Sequence, residues 1–154
     1  MSDYKEYIVR VYPTRTEWGN KEGELHREGG PAIYFTNFCN EYWYKNGAKH
    51  REDGPAVIEQ NGDKIWYKEG KIHREDGPAI ERLNGMWKEW CQNGQYHRED
   101  GPAIEEGLKR KRWFIHGKEF TEQEFLNRNK KEFSMDEIAK ALGVPVGELK
   151  IKKD

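Results

Sequence analysis

The stretch His-Arg-Glu-Asp-Gly-Pro-Ala at His50 to Ala56 decides the fold, because it returns unchanged at His73 to Ala79 and at His97 to Ala103. A fourth copy, His26 to Ala32, has Gly29 where the others have Asp. The histidines of successive copies are 24, 23 and 24 residues apart. A fixed period of this size is typical of a repeat architecture in which each copy is one supersecondary unit.

Each intact copy is preceded by an aromatic residue and a tight-turn dipeptide. The pairs are Trp43-Tyr44 with Asn46-Gly47, Trp66-Tyr67 with Glu69-Gly70, and Trp90-Cys91 with Asn93-Gly94. Asn-Gly between short aromatic runs predicts a β-hairpin with a type I′ turn, because both central residues of that turn need positive φ. After the Asp-Gly-Pro bend, a short strand is expected to run to a second turn at Asn61-Gly62 or Asn84-Gly85.

The predicted fold is mainly β: a repetitive antiparallel hairpin meander that forms an elongated sheet. Each unit is expected to supply two or three strands of about three to five residues. Six Trp, eight Tyr and six Phe make up 13% of the chain and provide the apolar surface that rewards ordering. Because a single hairpin is marginally stable, rings of successive units are expected to stack on one another.

The ends of the array depart from the consensus. Tyr4 to Tyr12 is rich in aromatic and β-branched residues and predicts an opening strand that stops at Pro13. The first repeat has an irregular turn region, as terminal repeats often do. Trp113 to Phe120 is a half repeat with Phe120 in the histidine's place, which closes the array. We therefore assign residues 1–120 to the repeat array.

Residues 121–154 predict a small helical segment, either a cap on the array or a docking tail. Thr121-Glu-Gln-Glu and Ser134-Met-Asp-Glu each match a capping box at the start of a helix. Gly143 then predicts a helix end and Pro145 prevents continuation. Val146 to Leu149 is expected to form a short final turn.

The units resemble a known family of repeats. Trp43-Tyr44-Lys45-Asn46-Gly47 is similar to the hairpin of membrane occupation and recognition nexus (MORN) repeats. The longer pattern Trp-Tyr-x-Asn-Gly-x-x-His-Arg-Glu-Asp-Gly-Pro-Ala is similar to repeat proteins common in bacterial and bacteriophage genomes. The resemblance covers roughly Glu17 to Phe120, and the Arg-Glu-Asp-Gly-Pro segment is an insertion relative to ordinary MORN repeats. It implies an architecture for contacts with partners, without a catalytic consensus.

The tail carries a second, shorter resemblance. Glu137 to Leu149 is similar to a segment of helix-turn-helix repressors that carry Ile-Ala-x-x-Leu-Gly-Val. The alternative is that its apolar residues cover the last strand of the sheet, because an uncovered edge invites aggregation.

The repeated His-Arg pairs are the main candidate binding residues. If they align along one edge of the array, they could grip anions or an acidic partner. The alternative is that each imidazole packs on an aromatic ring of the next unit and bonds the bend backbone, while Arg pairs with Asp. Repetition favours this structural alternative, since a catalytic centre is needed only once. The candidates are His26, Arg27, His50, Arg51, His73, Arg74, His97 and Arg98.

Charge supplies a further candidate site. The net charge of -1 argues against a nucleic-acid binder driven by overall charge. From Leu108 to the end, however, 12 Lys or Arg stand against 8 acidic residues, whereas the preceding part has 15 against 20. The basic run could contact phosphates or form a solvated loop. It comprises Lys109, Arg110, Lys111 and Arg112.

Catalysis has little support in the sequence. Nucleophile-elbow, P-loop, Cys-x-x-Cys and His-Glu-x-x-His motifs are absent. Cys91 with His97 could be a nucleophile and its base, but Cys91 stands where other units have Tyr and is better explained by packing. We expect no metal, no cofactor and free thiols at Cys39 and Cys91.

The sequence therefore predicts a non-enzymatic protein-protein interaction module. A bacteriophage-encoded inhibitor of a host enzyme or defence complex is its specific form if the bacteriophage resemblance is informative. Two alternatives stay open: binding of small anionic ligands such as nucleotides by the His-Arg rows, and nucleic-acid binding by the basic tail. Without a signal peptide or membrane-spanning run, the cytoplasm is the expected compartment, with no membrane contact.

Overall fold

The repeated turn signals of the sequence produce a chain of short strands followed by two helices. A computed structural model describes residues 6–130 and 133–148. Tyr4 and Lys5 of the predicted opening strand lie outside the described residues. The chain divides into two compact units, Met1–Glu122 and Gln123–Asp154.

The described part of the first compact unit, which holds all the repeats, contains seventeen strands. They are β1 (Ile8–Val11), β2 (Arg15–Gly19), β3 (Ile33–Phe35), β4 (Glu41–Tyr42), β5 (Tyr44–Lys45), β6 (Ala48–Lys49), β7 (Val57–Ile58), β8 (Lys64–Ile65), β9 (Tyr67–Lys68), β10 (Lys71–Ile72), β11 (Ile80–Arg82), β12 (Trp87–Glu89), β13 (Cys91–Gln92), β14 (Gln95–Tyr96), β15 (Ile104–Glu106), β16 (Arg110–Ile115) and β17 (Lys118–Phe120).

Eleven of these strands form one antiparallel sheet, which confirms the mainly β prediction. Their order is β1-β2-β3-β4-β7-β8-β11-β12-β15-β16-β17, so each strand pairs with the next one of the sheet along the chain. The remaining strands form three separate hairpins, β5-β6, β9-β10 and β13-β14. Each central unit thus contributes two strands to the main sheet and one hairpin beside it.

The hairpin turns have the predicted geometry. Asn46 and Gly47 have φ of 49° and 75°, and Glu69-Gly70 and Asn93-Gly94 repeat this pair of left-handed residues. Most central strands are shorter than predicted, because nine of the twelve strands β4 to β15 have two residues and only β11, β12 and β15 have three. Each central unit has four strands, one more than the largest number expected. The tryptophan that directly follows strands β4, β8 and β12 explains why these strands are short. Trp66 donates its backbone N–H to Ala79 and accepts from His73, so it bonds the loop instead of a neighbouring strand.

Neighbouring hairpins are joined by backbone hydrogen bonds. The glycine of each turn donates to the residue before the histidine of the preceding unit, as in Gly70 to Lys49 and Gly94 to Ile72, both at 2.9 Å. The arginine of each loop donates to the next hairpin, as Arg51 does to Tyr67 at 3.2 Å. Every unit is therefore bonded directly to the one that follows it.

The core is thin, as the low apolar content requires. The alanine after each proline is fully buried, namely Ala32, Ala56, Ala79 and Ala103, and Val57, Ile80 and Ile104 beside them are nearly so. The carboxylate of Glu89 is also buried, where it accepts hydrogen bonds from Trp87 Nε1 at 2.7 Å and the Tyr96 hydroxyl at 2.8 Å. Strand residues alternate between this side and a charged side, where Glu81 lies opposite Lys64 and Lys88 on the neighbouring strands.

Aromatic rings of successive units are in contact where the ring centroids of Phe35 and Tyr42 lie 5.6 Å apart, and where those of Tyr96 and Phe114 lie 5.2 Å apart. At the repeated tryptophans an arginine guanidinium covers the ring instead. This partly corrects the expectation that aromatic rings hold one another throughout the array.

The part of the chain that follows the strands contains the expected helices. Helix α1 (Glu122–Asn127) buries Phe125, and helix α2 (Met135–Leu142) buries Ala139. Ser134 and Glu137 form the predicted capping box, and Gly143 ends α2 in a left-handed conformation with φ of 68°. A single 3₁₀ turn (Val146–Glu148) follows, and Leu149 lies outside the described residues.

Candidate functional site

Each repeated loop is built around its arginine. The guanidinium carbon lies over the tryptophan of the same unit, at 3.9 Å for Arg27 over Trp18, 3.8 Å for Arg51 over Trp43, 4.1 Å for Arg74 over Trp66 and 3.8 Å for Arg98 over Trp90. Nη1 donates to the proline carbonyl of the loop at 3.1 to 3.3 Å. A cation over an indole ring is attracted by the ring quadrupole, so this contact fixes the loop above the sheet.

The arginine also makes the predicted pair with aspartate. Nε donates to the Asp carboxylate two residues later at 2.7 to 2.9 Å in the three intact copies. This hydrogen bond lowers the pKa of Asp53, Asp76 and Asp100, since it favours the charged form. In the first copy, Gly29 has no side chain with which to make the pair.

The repeated histidine bonds the next unit. Its Nδ1 accepts a hydrogen bond from the backbone N–H of the left-handed residue in the following hairpin. The distances are 3.1 Å for His26 from Asn46, 3.2 Å for His50 from Glu69, 3.1 Å for His73 from Asn93 and 3.1 Å for His97 from His116. The backbone donor therefore assigns the neutral tautomer with its proton on Nε2. In the intact copies, Nε2 lies 3.3 to 3.8 Å from the glutamate two residues later.

His97 is the most enclosed of the four, with 6% of its surface exposed. Its ring stacks on His116 at 4.2 Å. Burial and the neighbouring His116 lower the pKa of His97, against a smaller opposing effect of Glu99. Both effects favour the neutral imidazole that accepts from His116.

These contacts change the charge that the row of loops presents. The arginine side chains of the intact copies are only 19 to 23% exposed and are engaged by ring, carbonyl and carboxylate. The following glutamates and aspartates are 76 to 83% exposed. The predicted cationic residues therefore lie inside each loop, and carboxylates face solvent.

Grooves lie between successive loops. The first groove, of about 460 Å³, is lined by residues 27–29, 43–45 and 50–53. The second groove, of about 960 Å³, is lined by residues 51–55, Trp66, Lys68 and residues 73–76. The third groove, of about 700 Å³, is lined by residues 74–78, Trp90, Gln92 and residues 97–100. One tryptophan and two loops thus form each groove.

The grooves become more acidic along the chain. The first is lined by two arginines, one lysine and three carboxylates. The second groove is also lined by two arginines and one lysine, but by four carboxylates. The third has two arginines against four carboxylates, because Gln92 stands where the other grooves have Lys45 or Lys68.

Sequence reasoning did not select these carboxylates as candidates. The exposed residues are Glu52, Asp53, Glu75, Asp76, Glu99 and Asp100. Their position was available as a signal, because two acidic residues immediately before Gly-Pro fall at the tip of a bend, where side chains reach solvent.

The basic run lies apart from the grooves. Arg110, Lys111 and Arg112 belong to strand β16, so the expected solvated loop is a strand instead. Cross-strand pairing with β15 explains this, because Lys111 faces Glu105 and Arg110 faces Glu106. Arg112 also makes two hydrogen bonds with Glu119, at 2.8 and 2.9 Å. Lys109 and Lys111 are exposed.

Cys91, the cysteine considered as a nucleophile, is unsuited to that role. Burial and the nearby Glu89 raise the pKa of Cys91 to about 12, so its thiol is protonated at neutral pH. Cys39 is exposed, and both thiols are free. Within residues 6–130 and 133–148, no three His, Cys, Asp or Glu side chains are grouped so as to hold a metal ion.

Comparisons with known proteins returned no match, whether the chain was set against family models, curated proteins or solved structures. Among the described residues, none of the helices has the length and apolar character needed to cross a bilayer.

Proposed function

We propose that this protein is a non-enzymatic interaction module that docks a basic surface of another protein on the row of grooves. One observation carries the proposal: the cations of the repeated loops are engaged internally while Glu52, Glu75 and Glu99 are 76 to 78% exposed. The row is therefore complementary to lysine- and arginine-rich surfaces, which its charge would steer and orient.

The first repeat, which has Gly29 in its loop, supports a binding role for the exposed carboxylates. With Gly29 in place of Asp, Arg27 still lies over Trp18 and still donates to the Pro31 carbonyl at 3.3 Å. The loop network does not need the aspartate, so its return in three later units calls for a role outside the loop. The repeated tryptophans add apolar surface at the centre of each groove, as interface anchors commonly do.

The anionic-ligand alternative is less well supported by the same contacts. A bound phosphate would have to replace the carboxylate and carbonyl partners of Arg51, Arg74 or Arg98 and approach the exposed glutamates. Nucleic-acid binding by the basic run competes with the pairs that Arg110 and Arg112 make with Glu106 and Glu119.

The test is a charge reversal with a matched control. The groove variant carries Glu52→Lys, Glu75→Lys and Glu99→Lys, and the control carries Glu22→Lys, Glu69→Lys and Glu122→Lys at exposed positions outside the grooves. Both change the net charge equally, so only the location differs. Each protein is immobilised, exposed to bacterial lysate and washed with increasing salt, and bound proteins are identified by mass spectrometry.

We expect the wild type and the control variant to retain the same basic proteins, and the groove variant to lose them. Equal capture by both variants, or a bound set dominated by acidic proteins, would contradict the proposal. A nucleotide that raises the melting temperature of the wild type, but not of a folded Arg74→Ala variant, would favour the anionic-ligand alternative.

A further inference from the structure

The spacing of the grooves restricts the shape of a ligand. Each central unit adds two neighbouring strands to the main sheet. Because adjacent strands lie about 4.8 Å apart, equivalent positions of successive units recur about every 10 Å. A single segment that occupies consecutive grooves must therefore present a matching group about every 10 Å.

The tryptophans that line the second and third grooves each carry an available hydrogen-bond donor. Trp43 Nε1 donates to Glu41 at 3.3 Å, two residues earlier on the same face of the strand. Lys64 and Lys88 stand at the equivalent place before Trp66 and Trp90 and cannot accept. Among the described residues, the indole N–H groups of Trp66 and Trp90 have no hydrogen-bond partner, and neither nitrogen is sealed from solvent.

A polyproline II segment satisfies both requirements. It has three residues per turn and rises about 3.1 Å per residue, so every third side chain points the same way at intervals of about 9.3 Å. Its backbone carbonyls make no internal hydrogen bonds and remain free to accept from an indole N–H. An α-helix uses its carbonyls internally, and a β-strand places residues three apart on opposite faces.

Resting on the function proposed above, we propose that the second and third grooves bind a proline-rich polyproline II segment of a partner protein that carries Lys or Arg at every third residue. One basic side chain enters each groove beside Glu75 or Glu99. The carbonyls accept from Trp66 and Trp90, and the proline rings pack on the part of each indole that its arginine leaves exposed. Aromatic-lined grooves are the usual receptors for such segments.

The first groove should contribute less to this binding. Its lining carries equal numbers of cations and carboxylates, and Glu41 already holds the indole N–H of Trp43. This difference inside one molecule supplies a control for the experiment.

The probes are fluorescein-labelled synthetic peptides of equal length, measured with the full chain by fluorescence anisotropy. One peptide consists of Pro-Pro-Arg triplets, a second has the same composition with the arginines in one block, and a third consists of Gly-Ser-Arg triplets. We expect the Pro-Pro-Arg peptide to bind at least about tenfold more tightly than either control in roughly 0.1 M salt, where long-range attraction is screened.

Variants locate the binding. Trp90→Phe keeps a ring but removes the indole N–H, and should weaken Pro-Pro-Arg binding by about fivefold or more, whereas Trp43→Phe should change it less than about twofold. Circular dichroism verifies that both variants fold. The double variant Glu75→Gln with Glu99→Gln removes two exposed groove charges without disturbing the core. It should also weaken binding of the Pro-Pro-Arg peptide.

Equal affinity for the three peptides, or equal effects of Trp90→Phe and Trp43→Phe, would overturn the polyproline II inference. The function proposed above would still stand if the charge-reversal variant had lost its basic partners. If that variant keeps its partners and the Pro-Pro-Arg peptide does not bind, both proposals fail.

Discussion

The first and the third repeat show the same loop without and with its aspartate. Arg27 lies 3.9 Å from the Trp18 ring and Arg74 lies 4.1 Å from the Trp66 ring. The histidines bond the following hairpins equally, since His26 accepts from Asn46 and His73 from Asn93, both at 3.1 Å. What differs is Gly29, which has a φ of 72°, against Asp76, which pairs with its arginine.

The comparison separates two roles within one motif. Arginine, tryptophan, the proline carbonyl and histidine make the loop and join it to the next unit. The aspartate and the glutamate before it determine what the loop presents to solvent. Stability should therefore depend on the first group, and binding on the second.

The largest effect is expected at the tryptophans. Trp66→Ala should lower the free energy of unfolding by about 3 to 5 kcal/mol, because it removes the ring beneath Arg74 and leaves a cavity between two complete units. Trp18→Ala should cost clearly less, since the first unit is at the end of the array. Urea unfolding followed by circular dichroism measures both, and equal losses would contradict the nearest-neighbour picture.

The next effect concerns the histidine bonds. The pKa of His97 is lowered in the folded protein. As the pH falls below the ordinary value of 6.5, the unfolded chain therefore binds more protons than the folded protein, and the free energy of unfolding decreases as the pH is lowered. A protonated Nδ1 cannot accept from His116, which costs about 1 kcal/mol for the lost hydrogen bond. The measurement is the urea midpoint at a series of pH values between neutral and mildly acidic.

Two variants sharpen this test. His97→Gln should flatten the dependence of the urea midpoint on pH in this range. His116→Asn keeps the left-handed turn, as Asn46 and Asn93 do, but removes the second imidazole, and should flatten the dependence in part. An unchanged pH dependence in His97→Gln would show that the interface does not control acid stability.

A smaller effect is expected from restoring the aspartate to the first unit. Gly29→Asp meets no atom within 4 Å, but its φ of 72° is unfavourable for a side chain. We expect a loss of about 0.5 to 1 kcal/mol relative to glycine, unless the loop adopts the intact form and regains the pair with Arg27. A gain in thermal stability would therefore indicate that the loop has changed its conformation.

The smallest effect on stability is expected from the reverse change, Asp76→Gly. Its carboxylate is 83% exposed, and the first unit shows that the loop persists without it. The midpoint in urea should fall only slightly, because the lost pair with Arg74 is exposed and glycine adds freedom mainly to the unfolded chain, while capture of basic partners falls. A marked loss of stability would show that the ion pair with Arg74 holds the central loops together.

Much of the fold was accessible from the sequence because local signals repeat. The turn dipeptides Asn46-Gly47, Glu69-Gly70 and Asn93-Gly94 predicted the hairpins, and Asp-Gly-Pro predicted the bend. Ser134 and Gly143 likewise marked the ends of helix α2. The division of each unit into main-sheet strands and a separate hairpin was not accessible, because it depends on where the backbone of Trp43, Trp66 and Trp90 bonds.

The candidate site was only half accessible. The sequence selected His and Arg in each repeat, and the structure shows that both face inward to a ring, a carbonyl or the next hairpin. Which charge of a His-Arg-Glu-Asp run reaches solvent depends on the side-chain directions at the bend, which composition does not reveal. The indole donors of Trp66 and Trp90 required knowledge of the residue two positions earlier on the same face.

The bonds between hairpins have a consequence for the number of units. Each turn glycine and each histidine makes its bond between units with the adjacent unit, as Gly70 does with Lys49 and as His50 does with Glu69. Removing the 23 residues from Arg51 to His73 would place His50 directly before Arg74 and next to the hairpin that His73 now bonds. Recombination between repeats could therefore shorten or lengthen the chain in whole steps, and the valency of the protein toward a repetitive ligand would change with the number of units.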